Sequence, residues 1–286
     1  MTCLSLTRKG LAEFVGTAML VFSASQINTA GASVLGAGLG VGLTLACMVA
    51  AIGHISGGHV NPAVSLAFLL INSLSITELV VYWPCQILGC ITGGVLSRLT
   101  MDTKTWLSTK GGMVTLDTEV VGTEVWKGVL LEAIVTFVLV MTVLLVVEQR
   151  IPAGPLFIGL AALVGILHSG LITGGCVNPA RALGPTFTMW AFNEKEFVEE
   201  HMYGVWRYHW IYWVGPALGS IFAAFLFKLI FAENRLMKDP EPKLDEMVNG
   251  DIEMRPVANG TPVVANGPRL RTIIVSEDGV EHYGAD

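Results

Sequence analysis

Asn61 and Asn178 each open an Asn-Pro-Ala tripeptide, and each tripeptide follows a glycine pair, Gly57-Gly58 or Gly174-Gly175. An asparagine before proline is a natural helix start. Its side-chain oxygen can accept from orphan backbone N–H groups, and Pro62 or Pro179 takes the first-turn position, where no N–H is needed. Other chemistries cluster nearby: His59 and Cys176 each stand two residues before an asparagine, and Arg181 three residues after the second. Two glutamates, Glu13 and Glu132, lie in otherwise apolar stretches. No nucleophile with its base and no metal-ligand spacing stands out, so the chain is not expected to be an enzyme, and neither a metal nor a cofactor is expected.

Composition defines the frame that must position these groups. The chain is 52% hydrophobic and 14% charged with a mean hydropathy of +0.62, whereas soluble domains carry about 25% charged residues. This is an integral membrane protein, and no nucleic-acid partner is expected. Apolar spans are predicted over 10–27, 35–55, 77–99, 126–147, 156–171 and 209–231. Two further apolar runs, 62–71 and 178–190, are about half a bilayer long and start at the asparagines. The polar stretch 100–124 and the charged insert 188–208 carry no predicted element. We expect a channel domain over 1–232, with repeats 8–99 and 125–232, and a disordered tail over 233–286, rich in charge and proline.

The two halves repeat each other. Ala12-Glu13-Phe14 matches Leu131-Glu132-Ala133, and Tyr82-Trp83 matches Tyr212-Trp213. Three spans per half is an odd number, so the second copy is inverted, and the two half-spans must meet near the midplane with their N-termini opposed. Irregular backbone at the glycine pairs is tolerable at that depth only if it is buried or lines a wet cavity. Glu13 and Glu132 could form an ion or proton site. As structural groups they would instead accept bonds from the backbone N–H groups of the glycine-rich stretches, a role that explains why acid and loop are duplicated together. Six spans place both termini on one side, and Arg8, Lys9, Arg150, Lys228, Arg235 and Lys238 make that side cytoplasmic, in the plasma membrane or an intracellular one.

These strings, with His209-Trp210-Ile211-Tyr212-Trp213-Val214-Gly215-Pro216, resemble the aquaporins, the major intrinsic proteins, over about residues 8–231. The resemblance implies an all-α membrane fold of six transmembrane helices and two re-entrant half-helices, assembled as a homotetramer with a pore in each protomer. It implies passive permeation of water and small neutral solutes through the lipid bilayer, with Asn61 and Asn178 donating to passing water and Arg181 facing the outer vestibule. By the family's spacing Val41, Ile166, Gly175 and Arg181 form a wide, apolar constriction. His59 falls in the cytoplasmic vestibule, where its imidazole would bond backbone carbonyls. Cys176 falls where a thiol would be reached from the pore, the alternative being a small apolar residue in helix contacts, and His168 falls outside the ring. The Gly174-Gly175-Cys176 string looks most like the aqua-ammoniaporin branch, so ammonia, urea, hydrogen peroxide and glycerol are candidate solutes. A secondary transporter or a junctional scaffold of the same architecture is the alternative.

Overall fold

A computed structural model describes residues 3–27, 32–122, 124–193, 195–231, 274–276 and 279–281. The chain divides into two compact units, Met1–Ala232 and Glu233–Asp286. In the first, eleven helices are described: α1 (Cys3–Ile27), α2 (Val34–Ser56), α3 (Pro62–Leu70), α4 (Ile76–Thr100), α5 (Thr103–Ser108), α6 (Thr118–Val121), α7 (Trp126–Glu148), α8 (Gly154–Ser169), α9 (Pro179–Ala191), α10 (Lys195–Tyr208) and α11 (Ile211–Phe231). A 3-10 turn at Lys110–Gly112 lies between α5 and α6. Their starts follow local chemistry. Ser33 caps α2, and a reciprocal Ser75–Glu78 box caps α4, with Lys9 of α1 reaching Glu78 at 2.7 Å.

The predicted all-α membrane architecture is what the chain adopts, with six long helices and two half-helices. Among the described residues, five helical segments are long and apolar enough to cross a membrane. The sixth, α8, has 16 residues, about 24 Å at the ordinary helical rise and so short of a full hydrocarbon span. The first helix starts seven residues earlier than predicted. Two stretches without predicted structure fold: 100–124 holds α5, the 3-10 turn and α6, and the insert becomes α10 because Val198, Met202 and Val205 share a helical face. In the second unit, the described residues form a two-stranded antiparallel hairpin, β1 (Ile274–Ser276) with β2 (Gly279–Glu281). That departs from the expected disorder at six residues, where β-branched Ile274, Val275 and Val280 favour a strand. The other residues of the predicted tail lie outside the described ones.

The inverted repeat extends to packing. Helix α1 packs on α4 as α7 packs on α11, and α2 faces α8. The half-helices are exchanged: α3 of the first repeat lies against α11 of the second, and α9 against α4. A shared core follows, in which Val64 and Phe68 join Leu139, Val140, Ala223 and Phe227. Two equivalent glycines allow the long helices to touch. A Cβ on Gly89 would stand 2.4 Å from the Phe14 carbonyl oxygen, and one on Gly219 2.3 Å from that of Ala133. Main chain cannot swing aside as a side chain can, so the helices themselves would have to part.

Gly89→Ala or Gly219→Ala should therefore destabilise the helical body by about 1–3 kcal/mol, read as a lower melting temperature in detergent. Gly204→Ala, where an added Cβ meets nothing within 4 Å, should leave it unchanged or raise it slightly.

Candidate functional site

The N-termini of α3 and α9 meet in the interior, and their caps are crossed. Asn61 Oδ1 accepts from Ala63 N at 2.9 Å, while its Nδ2 donates to the Val177 carbonyl at 2.9 Å. Asn178 Oδ1 accepts from Ala180 N at 3.0 Å and Arg181 N at 3.3 Å, and its Nδ2 donates to the Val60 carbonyl at 2.9 Å. Each asparagine thus caps its own half-helix and fastens the approach to the other. An amide carries two N–H donors, so one on each side chain is left beyond this lock.

The approach segments are strained to make it. Gly57, Gly58, Gly174 and Gly175 all have positive φ, and so do the β-branched Val60 (43°) and Val177 (50°). Left-handed backbone at valine costs on the order of 1–3 kcal/mol and persists only where surrounding groups over-determine it. Here they do. Val60 N donates to Glu13 Oε2 at 2.7 Å and Val177 N to Glu132 Oε2 at 2.9 Å, so each valine is held at both its N–H and its carbonyl.

Glu13 and Glu132 are fully buried (0% exposed). Glu13 Oε1 accepts from Ser56 Oγ at 2.6 Å and His59 N at 2.9 Å, and Oε2 also accepts from Gln86 Nε2 at 2.8 Å. Glu132 Oε1 accepts from Thr173 Oγ1 and, at 3.2 Å, from Cys176 N. Tyr82 Oη donates to Ser56 O at 2.6 Å and Tyr212 Oη to Thr173 O at 2.7 Å, closing the loop ends in both repeats.

His59 departs from its expected contacts. Its Nδ1 meets the Ser65 hydroxyl at 3.1 Å rather than a backbone carbonyl, and its ring lies 4.5 Å from Phe68 and 5.3 Å from Tyr82, centroid to centroid. The two aromatic rings pack on the imidazole, and the α3 serine meets its Nδ1. Gln86 Nε2 donates to the same Ser65 hydroxyl at 3.0 Å, joining this group to Glu13.

Among the described residues, two cavities adjoin the half-helix starts. The larger, about 490 Å³, is bordered by Asn61, Asn178, His59, Gly175 and Cys176 and extends to Arg150 between α7 and α8. The smaller, about 280 Å³, reaches Asp117 and Val34. Val41, Ile166 and Arg181 border both, which places them at the junction. Gly175 borders only the larger, yet a Cβ there would stand 2.7 Å from Ile166 Cα, so the glycine keeps that wall open. Arg181 is nearly buried, and its Nη1 donates to Gly112 O at 3.0 Å. His168 lies on an exposed face with Nδ1 against its own helix at Val164 O, 2.7 Å away, and borders neither cavity.

Cys176 borders the larger cavity, and its side chain is packed. Its side chain is 1% exposed, packs with Ala182, Ile211 and Tyr212, and donates from Sγ to Asn178 O at 3.0 Å, so the thiol is turned into the packing. Among the participants not singled out in the sequence are Val60, Val177 and Gly112. The valines could have been suspected from their place directly before each asparagine, two residues after a glycine pair. The Gly112 carbonyl could not, because its role depends on where the 3-10 turn lands.

Long apolar helices around two opposed, capped half-helices and a junction between cavities define an integral membrane protein with an internal passage. The comparisons with known proteins agree. The family model described as MIP, Major intrinsic protein, matches residues 1–227. Aquaporin-8 of Mus musculus is 34% identical over 231 residues, 79% of this chain and 82% of that protein. The probable aquaporin TIP3-2 of Oryza sativa subsp. japonica is 34% identical over 253 residues, with 82% and 84% covered. The X-ray structure of the aquaglyceroporin from Plasmodium falciparum matches with a TM-score of 0.69 at 22% identity, over 81% of this chain and 99% of that one, a likeness of fold. The chain belongs to the major intrinsic protein family: it is a membrane water channel and not an enzyme.

The glutamate roles separate experimentally. In Glu13→Gln and Glu132→Gln an amide NH₂ must face at least one backbone N–H, leaving a buried donor unpaired at about 1–3 kcal/mol each. Melting in detergent should fall for both variants; unchanged melting with altered ion dependence of flux would make the acids a transport site instead.

Proposed function

We propose that this channel passes water together with ammonia, urea and hydrogen peroxide, and excludes protons and ions. The supporting observation is the junction of the two cavities, bordered by two aliphatic side chains and one guanidinium, Val41, Ile166 and Arg181. Aliphatic walls return no hydrogen bonds to a solute that sheds water. Solutes with less hydration to lose are therefore penalised less there, while the guanidinium offers donors to a neutral solute and repels cations.

Past the junction, a solute meets the asparagines. The N–H left on each amide can donate to a water oxygen, which turns that water's own hydrogens outward and interrupts a chain along which protons could hop. The opposed N-termini of α3 and α9, each worth roughly half a positive charge, add a barrier to cations. We place both termini and the turn at Arg150 on the cytoplasmic side, because Arg8, Arg150 and Lys228 are exposed on the side common to the start of α1, the α7–α8 turn and the end of α11. Assembly as a homotetramer, with one passage in each copy, is part of the same reading.

The test is stopped-flow swelling of vesicles carrying the protein, with water, urea, ammonia, hydrogen peroxide and glycerol compared. Non-saturating flux with low activation energy is expected for the first four; saturable, ion-coupled flux would favour a transporter. Val41→Phe should cut urea flux at least roughly tenfold, the scale on which pockets discriminate by small changes in size, while water flux falls less. An unchanged solute profile would remove Val41 from the junction.

A further inference from the structure

Helix α10 takes no part in lining the two cavities, and its two faces are unlike. Inward, Val198, Met202 and Val205 pack toward Trp106 and Met189, with Met202 and Trp106 fully buried. Outward, Tyr203 is 74% exposed and Trp206 36%, and beyond the junction with α11 Trp210 is 47% exposed. Positions 203, 206 and 210 are spaced by three and four, as one helical face requires. His209 N bonds Trp206 O at 3.2 Å and Trp213 N bonds Trp210 O at 3.1 Å, so the chain turns in near-helical steps through the junction. The stripe therefore runs on into exposed Trp213, Val214 and Leu218 of α11, a wall that faces lipid in an integral membrane protein.

Along this face the residue types change in one direction. The aromatic stripe gives way to the aliphatic Val214 and Leu218 of α11. Headgroup and hydrocarbon ask for that order, since indole and phenol rings combine an apolar body with a polar tip. Among the described residues, exposed Trp126 at the start of α7 and Trp190 near the end of α9 lie at the same rim, and Trp83 on α4 is the one exposed tryptophan or tyrosine away from it. The indole N–H groups of Trp206 and Trp210 bond no other described residue, which leaves both for an outside acceptor.

We propose that α10 docks on the membrane–water boundary, with Trp206 and Trp210 seated at the ester-carbonyl level of the phospholipids and Tyr203 above them among the headgroups. The contact is one packed layer from the passage. A Cβ on Gly111 would stand 2.6 Å from Trp106 Cζ2 and 3.0 Å from Met189 Cε, and the next residue, Gly112, holds Arg181 through its carbonyl.

The test compares the full chain with the Trp206→Phe, Trp210→Phe double variant in phosphatidylcholine vesicles, using lipids brominated near the carbonyl or near the chain end. Both substitutions lie on the exposed face, and water flux verifies folding. The fluorescence lost in the variant should be the part quenched at least about twofold more by shallow than by deep bromines. Quenching of that part by aqueous iodide but not by either lipid would put α10 in water and overturn the proposal. Quenching by neither would mean that a second copy of the chain covers the stripe, and would overturn it as well.

Discussion

The structure depends on a crossed pair of hydrogen bonds at its centre, Asn61 to the Val177 carbonyl and Asn178 to the Val60 carbonyl, each 2.9 Å long. Neither half-helix could hold its place alone. Helix α3 has nine residues and α9 thirteen, lengths at which an isolated helix is marginal in water. Opposed N-termini also repel through their dipoles. The crossed amides fasten the two ends, and because each bond leaves one repeat and lands on the other, the lock exists only once both repeats have folded. The exchange of half-helices, α3 onto α11 and α9 onto α4, spreads the same dependence through the core.

The lock needs carbonyls turned in a direction that ordinary backbone does not reach, and the buried glutamates make this possible. With Val60 and Val177 in the left-handed region, their N–H groups face Glu13 and Glu132, and their carbonyls face the opposing asparagines. A carboxylate removed from water is costly unless its oxygens are saturated. Glu13 takes four donors and Glu132 three. The difference traces to one position of the repeat: Gln86 on α4 has Pro216 as its α11 counterpart, and proline brings no donor. The first repeat therefore gains a polar group, Gln86 with Ser65 and His59, that the second replaces with packing around Cys176.

Legibility followed the range of the interaction concerned. The half-helix starts were readable because Asn-Pro capping is local, and α3 and α9 begin where it places them. Glu13 and Glu132 stood out because acids are rare in apolar spans. Helix α10 was missed because its amphipathic face is short, sits in a charged segment and shows only against Trp106 and Met189, which lie in other elements. Cys176 left two readings open for a similar reason: its distance from Asn178 along the chain does not say which way a residue between two left-handed neighbours will turn.

The sequence by itself determined the class of protein, the inverted repeat and the identity of the groups near the midplane, since composition, periodicity and capping act within a few turns of chain. Only the tertiary structure decided what those groups bond to. Asn61 and Val177 are separated by 116 positions and Arg181 and Gly112 by 69, and nothing local pairs them. How closely Val41 and Ile166 approach was decided in the same way, by α2 and α8 brought together where Gly42 and Gly159 let backbones touch, because a passage is the space left over after packing and has no sequence of its own.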